Sequence, residues 1–152
     1  MEIRTLDPSD ADAAAELLGL QRRAYRVEAD LIGSDGIPPL TETLEELQAA
    51  GETFLGAYVE GELAGAVSWR VDGETLDLHR LVVDPARFRG GIGTALVRAA
   101  LAAEPGARRA IVQTGAVNEP AKRLYRREGF EELDEVEVAP GLRVTRFRKE
   151  LG

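Results

Sequence analysis

The sequence predicts an α/β fold, a mixed and mostly antiparallel central sheet flanked by helices. Three observations carry this. Apolar runs of strand length recur between turn dipeptides, with Glu60-Gly61, Asp72-Gly73 and Asp84-Pro85 closing three runs in succession. Segments with apolar residues at helical spacing alternate with those runs. A cluster of glycines stands where a strand hands over to a helix, in "RFRGGIGTALVR" (residues 87 to 98).

The elements follow in order. A first strand covers 3 to 6. A helix from about 9 to 25 follows, with Ala14, Leu17, Leu18, Gln21 and Tyr25 on one face. "LIGSDGIPPL" (31–40) reads as a Gly/Pro-rich loop. "TETLEELQAAG" is a short helix with Thr43 and Glu46 as a capping box and Gly51 as its stop. The runs "TFLGAYV", "ELAGAVSWRV" and "ETLDLHRLVV" form an antiparallel meander. After the glycines comes a helix from about 91 to 103, then the buried strand "RAIVQT". A helix over "NEPAKRLYRREG" has Asn118 as N-cap and Gly129 as stop. "FEELDEVEV" and "LRVTRFRKEL" close the chain as a hairpin around Pro140-Gly141. The order is β-α-α-β-β-β-α-β-α-β-β, and the expectation is a single domain over 1–152.

Composition narrows the function. Hydrophobic residues make up 44% and charged residues 30%, as in water-soluble domains. No run reaches the roughly 20 apolar residues that span a membrane. "MEIRTLDPSD" lacks the basic-then-apolar pattern of a leader, so a cytoplasmic protein is expected. Cysteine is absent and histidine occurs once, which excludes disulfides and a cysteine nucleophile and leaves little for a metal. No metal is expected. The formal net charge is 19 − 27 = −8, unfavourable for nucleic acid as partner. The charge is also polarised. Residues 28 to 62 hold nine acids, Glu28 among them, and no Lys or Arg. Residues 85 to 127 hold nine Lys or Arg against Glu104 and Glu119. An anionic ligand suits the second stretch and a cationic one the first.

A helix start offers unpaired N–H groups and partial positive charge, so the glycines point to a phosphate. A dinucleotide fingerprint needs a third glycine where Leu96 stands, and a P-loop needs a lysine that is missing. The pattern that remains is a strand ending Val83-Asp84-Pro85, then Gly91-Ile92-Gly93 opening a helix. Downstream come Asn118, Ala121, Tyr125, Gly129 and Phe130 in the spacing N-x-x-A-x-x-x-Y-x-x-x-G-F. This resembles the GNAT superfamily of N-acetyltransferases, most strongly over 76 to 130. One departure from the family pattern is Phe88, at the place of the usual Gln or Arg. Backbone N–H groups supply most of such a grip, so phosphate binding is expected to survive it.

The resemblance implies acetyl-coenzyme A as cosubstrate. It assigns Leu81, Val82, Val83, Arg89, Gly90, Gly91, Ile92, Gly93, Thr94 and Asn118 to its binding. It also implies a gap beside the strand ending at Val83, entered by the pantetheine arm, and Tyr125 near the thioester sulfur, where a phenol can protonate the departing thiolate. Asp77 falls where some relatives carry a catalytic glutamate. His79, two residues on, shares its strand face, and an imidazole suits proton transfer near neutral pH. Gln113 stands at another position used for a glutamate and cannot act as a base. The expected reaction is direct transfer in a ternary complex to a small-molecule or peptide amine, by a monomer or homodimer. The alternative is a non-catalytic coenzyme A-binding sensor or partner module.

Overall fold

The computed structural model describes residues 1–32, 42–87 and 90–152. These form a seven-stranded mixed sheet with helices on both faces. The strands are β1 (Glu2–Thr5), β2 (Thr53–Val59), β3 (Glu62–Asp72), β4 (Thr75–Val83), β5 (Arg109–Gly115), β6 (Glu131–Ala139) and β7 (Leu142–Glu150). The helices are α1 (Ala11–Ile32), α2 (Leu44–Gln48), α3 (Ile92–Ala102) and α4 (Glu119–Arg127). Pro85–Arg87 make a single 3-10 turn between β4 and α3.

Sheet order is β1-β2-β3-β4-β5-β7-β6, and every neighbour pair is antiparallel except β4 with β5. The meander β2-β3-β4 is as expected from its turn dipeptides. The closing hairpin enters with its second strand inward, so β7 lies against β5 and β6 becomes the edge.

Each sheet face is covered by its own helices. On one face α3 and α4 bury Ile92, Leu96, Val97, Ala100 and Tyr125 against Val67, Trp69, Leu76, Leu78 and Phe147. The Trp69 indole N–H donates to Glu104 Oε1 at 3.1 Å, which satisfies its polar atom just past the end of α3. On the other face α1 and α2 bury Leu17, Leu20 and Leu47 against Phe54, Ala66 and Val82. The helical face read from the sequence is the buried one: Ala14, Leu17, Leu18, Gln21 and Tyr25 all lie inside.

Most boundaries fall within two residues of expectation, and the end of α1 does not. α1 runs to Ile32 rather than about 25, because no Gly or Pro falls between Tyr25 and Gly33 to stop it. Of the loop expected over 31–40, Leu31 and Ile32 are helical, and residues 33 to 40 lie outside the described residues. α2 starts where its cap predicts. Thr43 Oγ1 accepts from the Glu46 N–H and the Glu46 carboxylate accepts from the Thr43 N–H. No helix among the described residues is long and apolar enough to cross a membrane.

Candidate active site

The site begins with a fork in the sheet. β4 and β5 are in register at only three places, Thr75 with Arg109, Leu76 with Ala110 and Asp77 with Ile111. Beyond Asp77, β4 stays with β3 and β5 stays with β7, so the two strands part. The gap beside Leu81–Val83 that the family resemblance implies is thus present. A cavity of about 650 Å³ lies along it. Its wall includes Ala24, Tyr25 and Val27 of α1 from one sheet face, and residues of α3 and α4 from the other. The cavity therefore reaches through the sheet.

Nine of the thirteen predicted site residues fall on or beside this opening. Leu81, Val82, Val83, Gly91, Ile92, Gly93, Thr94 and Asn118 line the cavity. Asp77 marks the point where the strands separate. Gly90 is exposed in the turn before α3 and is outside the lining, and Arg89 lies outside the described residues.

The glycine turn is built for close approach. Gly91 is the N-cap of α3, with φ 77° in the left-handed region, and no side chain caps the helix there. A Cβ on Gly91 would meet nothing within 4 Å, so the space in front of the helix start is open. Its first-turn N–H groups have no intrahelical partner and face that space. Gly93 has a different role. A Cβ there would stand 2.9 Å from Leu124 Cδ1, so this glycine lets α4 pack against the first turn of α3. Arg87, Arg123 and Arg127 also reach the cavity wall. Asn118 caps α4 as expected, its side-chain oxygen accepting from the Ala121 N–H at 3.3 Å.

The second part of the site is polar and lies on the α1 and α2 face. The β3–β4 register slips between Ser68 and Trp69, opposite Arg80 and Leu78, which leaves His79 as the extra residue of a β-bulge. The bulge puts two consecutive side chains on one face. His79 keeps the face of Asp77, as period-2 spacing requires, and Arg80 joins them instead of entering the α3 side. His79 Nε2 is 3.3 Å from Asp77 Oδ2, and Nδ1 is 3.5 Å from Glu52 Oε2. Arg80 donates through Nε to Glu52 at 2.8 Å, through Nη2 to Glu42 at 2.8 Å and through Nη1 to Gln21 at 2.7 Å. Ser68 Oγ donates to Glu52 at 2.6 Å.

Burial alone would push the Glu52 carboxyl up. Hydrogen bonds from Arg80 and Ser68, with the Arg80 and His79 charges, outweigh it and hold Glu52 below the ordinary glutamate range. Burial likewise acts to lower the Arg80 guanidinium, but Glu42 and Glu52 reverse this and raise it. The Asp77 side chain is the most open of the group at 42% exposure, against 5% for Glu52. Glu52 and Arg80 were not singled out from the sequence. The only available signal was an arginine among apolar residues in β4, which is unusual for a central strand.

Tyr125 sits deeper than its expected role suggests, at 3% exposure. Its ring packs edge-on against Phe130, with centroids 5.5 Å apart, and tilted against Phe147 at 5.7 Å. The neighbouring Leu124 reaches the cavity.

A family model described as the Acetyltransferase (GNAT) family matches residues 15–130. The protein YqkA of Bacillus subtilis is 38% identical over 145 residues, covering 95% of this chain. This chain spans only 42% of YqkA's length. An uncharacterized N-acetyltransferase of the same organism, YhfO, is 31% identical over 140 residues, covering 87% of this chain and 91% of its own. The crystal structure of PaiA N-acetyltransferase from Thermoplasma acidophilum, in complex with coenzyme A, superposes with a TM-score of 0.79 at 19% identity. It covers 99% of this chain and 98% of that one. The forked sheet, the glycine-started helix at its mouth and the matched family model agree, and the chain belongs to the GNAT family of acetyltransferases.

Proposed function

We propose that this chain, as a single domain over 1–152, moves an acetyl group from acetyl-coenzyme A to a primary amine by direct attack in a ternary complex. The observation that carries the reading is the cavity along the fork between β4 and β5, walled by helices from both faces of the sheet. Two reactants can then meet there from opposite sides.

The residues present fit the cosubstrate. The start of α3 is uncapped and open, and arginines line the wall beside it, which suits phosphates. Leu81, Val83 and Leu124 give the rest of the cavity an apolar lining. When bound, acetyl-coenzyme A supplies an activated acyl thioester. The β4 peptide groups beyond Asp77 would orient it along the fork. Proton removal from the amine falls to the Asp77 and His79 pair. Both imidazole nitrogens of His79 stand beside carboxylates, so the more exposed Asp77 is the group that can take a proton from a ligand directly, with His79 behind it. Tyr125 remains the proposed donor to the leaving thiolate.

The test is thiol release from acetyl-coenzyme A across a panel of amines that includes peptide N-termini, lysine, polyamines and aminoglycosides. Amine-dependent release supports the reading. Tight coenzyme A binding without release for any amine would favour the non-catalytic module.

Two smaller results are expected. Gly91→Val should weaken coenzyme A binding at least tenfold, about 1.4 kcal/mol, by calorimetry. The valine adds bulk where the pyrophosphate must approach, and its left-handed backbone costs roughly 1–2 kcal/mol of stability. Unchanged affinity in a folded variant would remove the helix start from the binding site. Asp77→Asn should lower kcat with little change in acetyl-coenzyme A affinity, and His79→Asn should do so less. The reverse ranking would make His79 the direct proton acceptor.

A further inference from the structure

Most basic side chains of this acidic protein are engaged by its own acids or carbonyls. Arg98 holds Glu128, Arg143 holds Glu135, Arg146 holds Asp134 and Lys122 bonds the Ala116 carbonyl. Arg123 and Arg127 differ. Among the described residues neither makes a hydrogen bond or a close salt bridge, the Arg127 charge acting only at longer range on Glu128, which Arg98 already holds, and both are exposed on the cavity wall. They stand one turn apart on α4, on the same helix face as Pro120, Ala121 and Leu124, which also line the cavity. Arg127 lies in the last turn of α4, where a cation relieves the negative end of the helix. Arg123 is mid-helix and has no such reason to be there.

The cavity thus has two sources of positive potential. One is the backbone start of α3, the other a pair of guanidinium groups on α4. A single phosphate needs only one of them. Coenzyme A carries two separate anionic groups, a pyrophosphate and a ribose 3′-phosphate. Resting on the acetyl-coenzyme A reading above, we infer that Arg123 and Arg127 form a second phosphate subsite, which takes the ribose 3′-phosphate and makes this chain select coenzyme A over its 3′-dephospho form. Guanidinium forks are suited to phosphate, and two of them that hold no carboxylate by a hydrogen bond can turn toward it.

The experiment is calorimetric titration of the full chain with coenzyme A and with 3′-dephospho-coenzyme A, at low and at moderate salt. Wild type should prefer coenzyme A by about tenfold, a preference that shrinks as salt rises. Arg123→Gln with Arg127→Gln should bind both ligands alike, at the wild-type affinity for the dephospho form. Gly91→Val should weaken both ligands together and keep the preference. Equal binding of the two ligands by wild type would overturn the subsite while leaving the coenzyme A reading intact, and this comparison needs no variant to fold. A preference that persists in the double variant would overturn it as well. A wild type that binds neither ligand would overturn the subsite together with the reading beneath it.

Discussion

Tyr125→Phe is expected to lower turnover by roughly 10²–10⁴-fold, the range for removal of a positioned acid. The substitution keeps the ring, and the ring makes the contacts to Phe130 and Phe147. Packing should therefore survive. Loss of a buried hydroxyl costs about 1 kcal/mol, a melting shift of about 2–4 °C for a domain of this size. Coenzyme A affinity should barely move, because the hydroxyl matters once charge develops on sulfur. A tyrosine that served only the core would give near-normal turnover with the same small melting shift. Measuring kcat, affinity and melting temperature on one preparation separates these outcomes. Slow hydrolysis of acetyl-coenzyme A serves as the turnover assay until an acceptor is found. Wild-type turnover in the variant would return Tyr125 to the core alone.

Arg80→Met should have the largest effect on stability. The side chain is 11% exposed and is the counterion for both Glu42 and Glu52, themselves 14% and 5% exposed. Methionine fills most of the space but leaves two buried carboxylates facing each other. Breaking such a cluster from one side costs about 3–5 kcal/mol, or roughly 6–20 °C in melting temperature. The pH dependence gives a sharper signature. In the wild type Glu52 sits below its unfolded value of 4.5. Its stabilisation is then complete above that value and is lost as pH falls through the lower folded one. Without the guanidinium, burial dominates and the Glu52 carboxyl rises, so acid neutralises the group that destabilises the variant. The gap between wild type and Arg80→Met should narrow from neutral pH toward pH 4. A constant gap would mean that Arg80 acts through packing alone, and adding Glu52→Gln should then recover nothing.

The parts of this molecule legible in its sequence are those decided locally. Thr43 with Glu46 and Asn118 before Pro120 start helices by contacts within four residues. The Glu60-Gly61 and Asp72-Gly73 turns fix a meander in the same way. The glycine turn before α3 was readable because a left-handed N-cap with open space in front of it demands glycine. The polar cluster was not. Gln21, Glu42, Glu52, Ser68 and Arg80 come from α1, the approach to α2, the residue before β2, β3 and β4, and only the folded sheet brings them together. The bulge at His79 was also hidden. An added residue in a strand has no composition of its own, yet it moved Arg80 from one face to the other and created the cluster. Tyr125 was legible as a position and not as an environment, since the burial of a side chain depends on Phe130 and Phe147 arriving beside it.

The fork has a consequence for the protein as a material. Strand edges with unsatisfied peptide groups normally lie at the rim of a sheet, where they invite pairing with other chains. Here the rim strand β6 is guarded by charge, with Glu131, Glu132, Asp134, Glu135 and Glu137 along it. The row of β4 peptide groups beyond Asp77 that faces away from β3 forms another edge, in the middle of the sheet and with no strand paired to it. It is shielded by its recess between α1 and α4 rather than by charge. A ligand arm lying along this row would act as a temporary eighth strand, and the chain would be least self-contained in the interval between releasing one ligand and taking up the next.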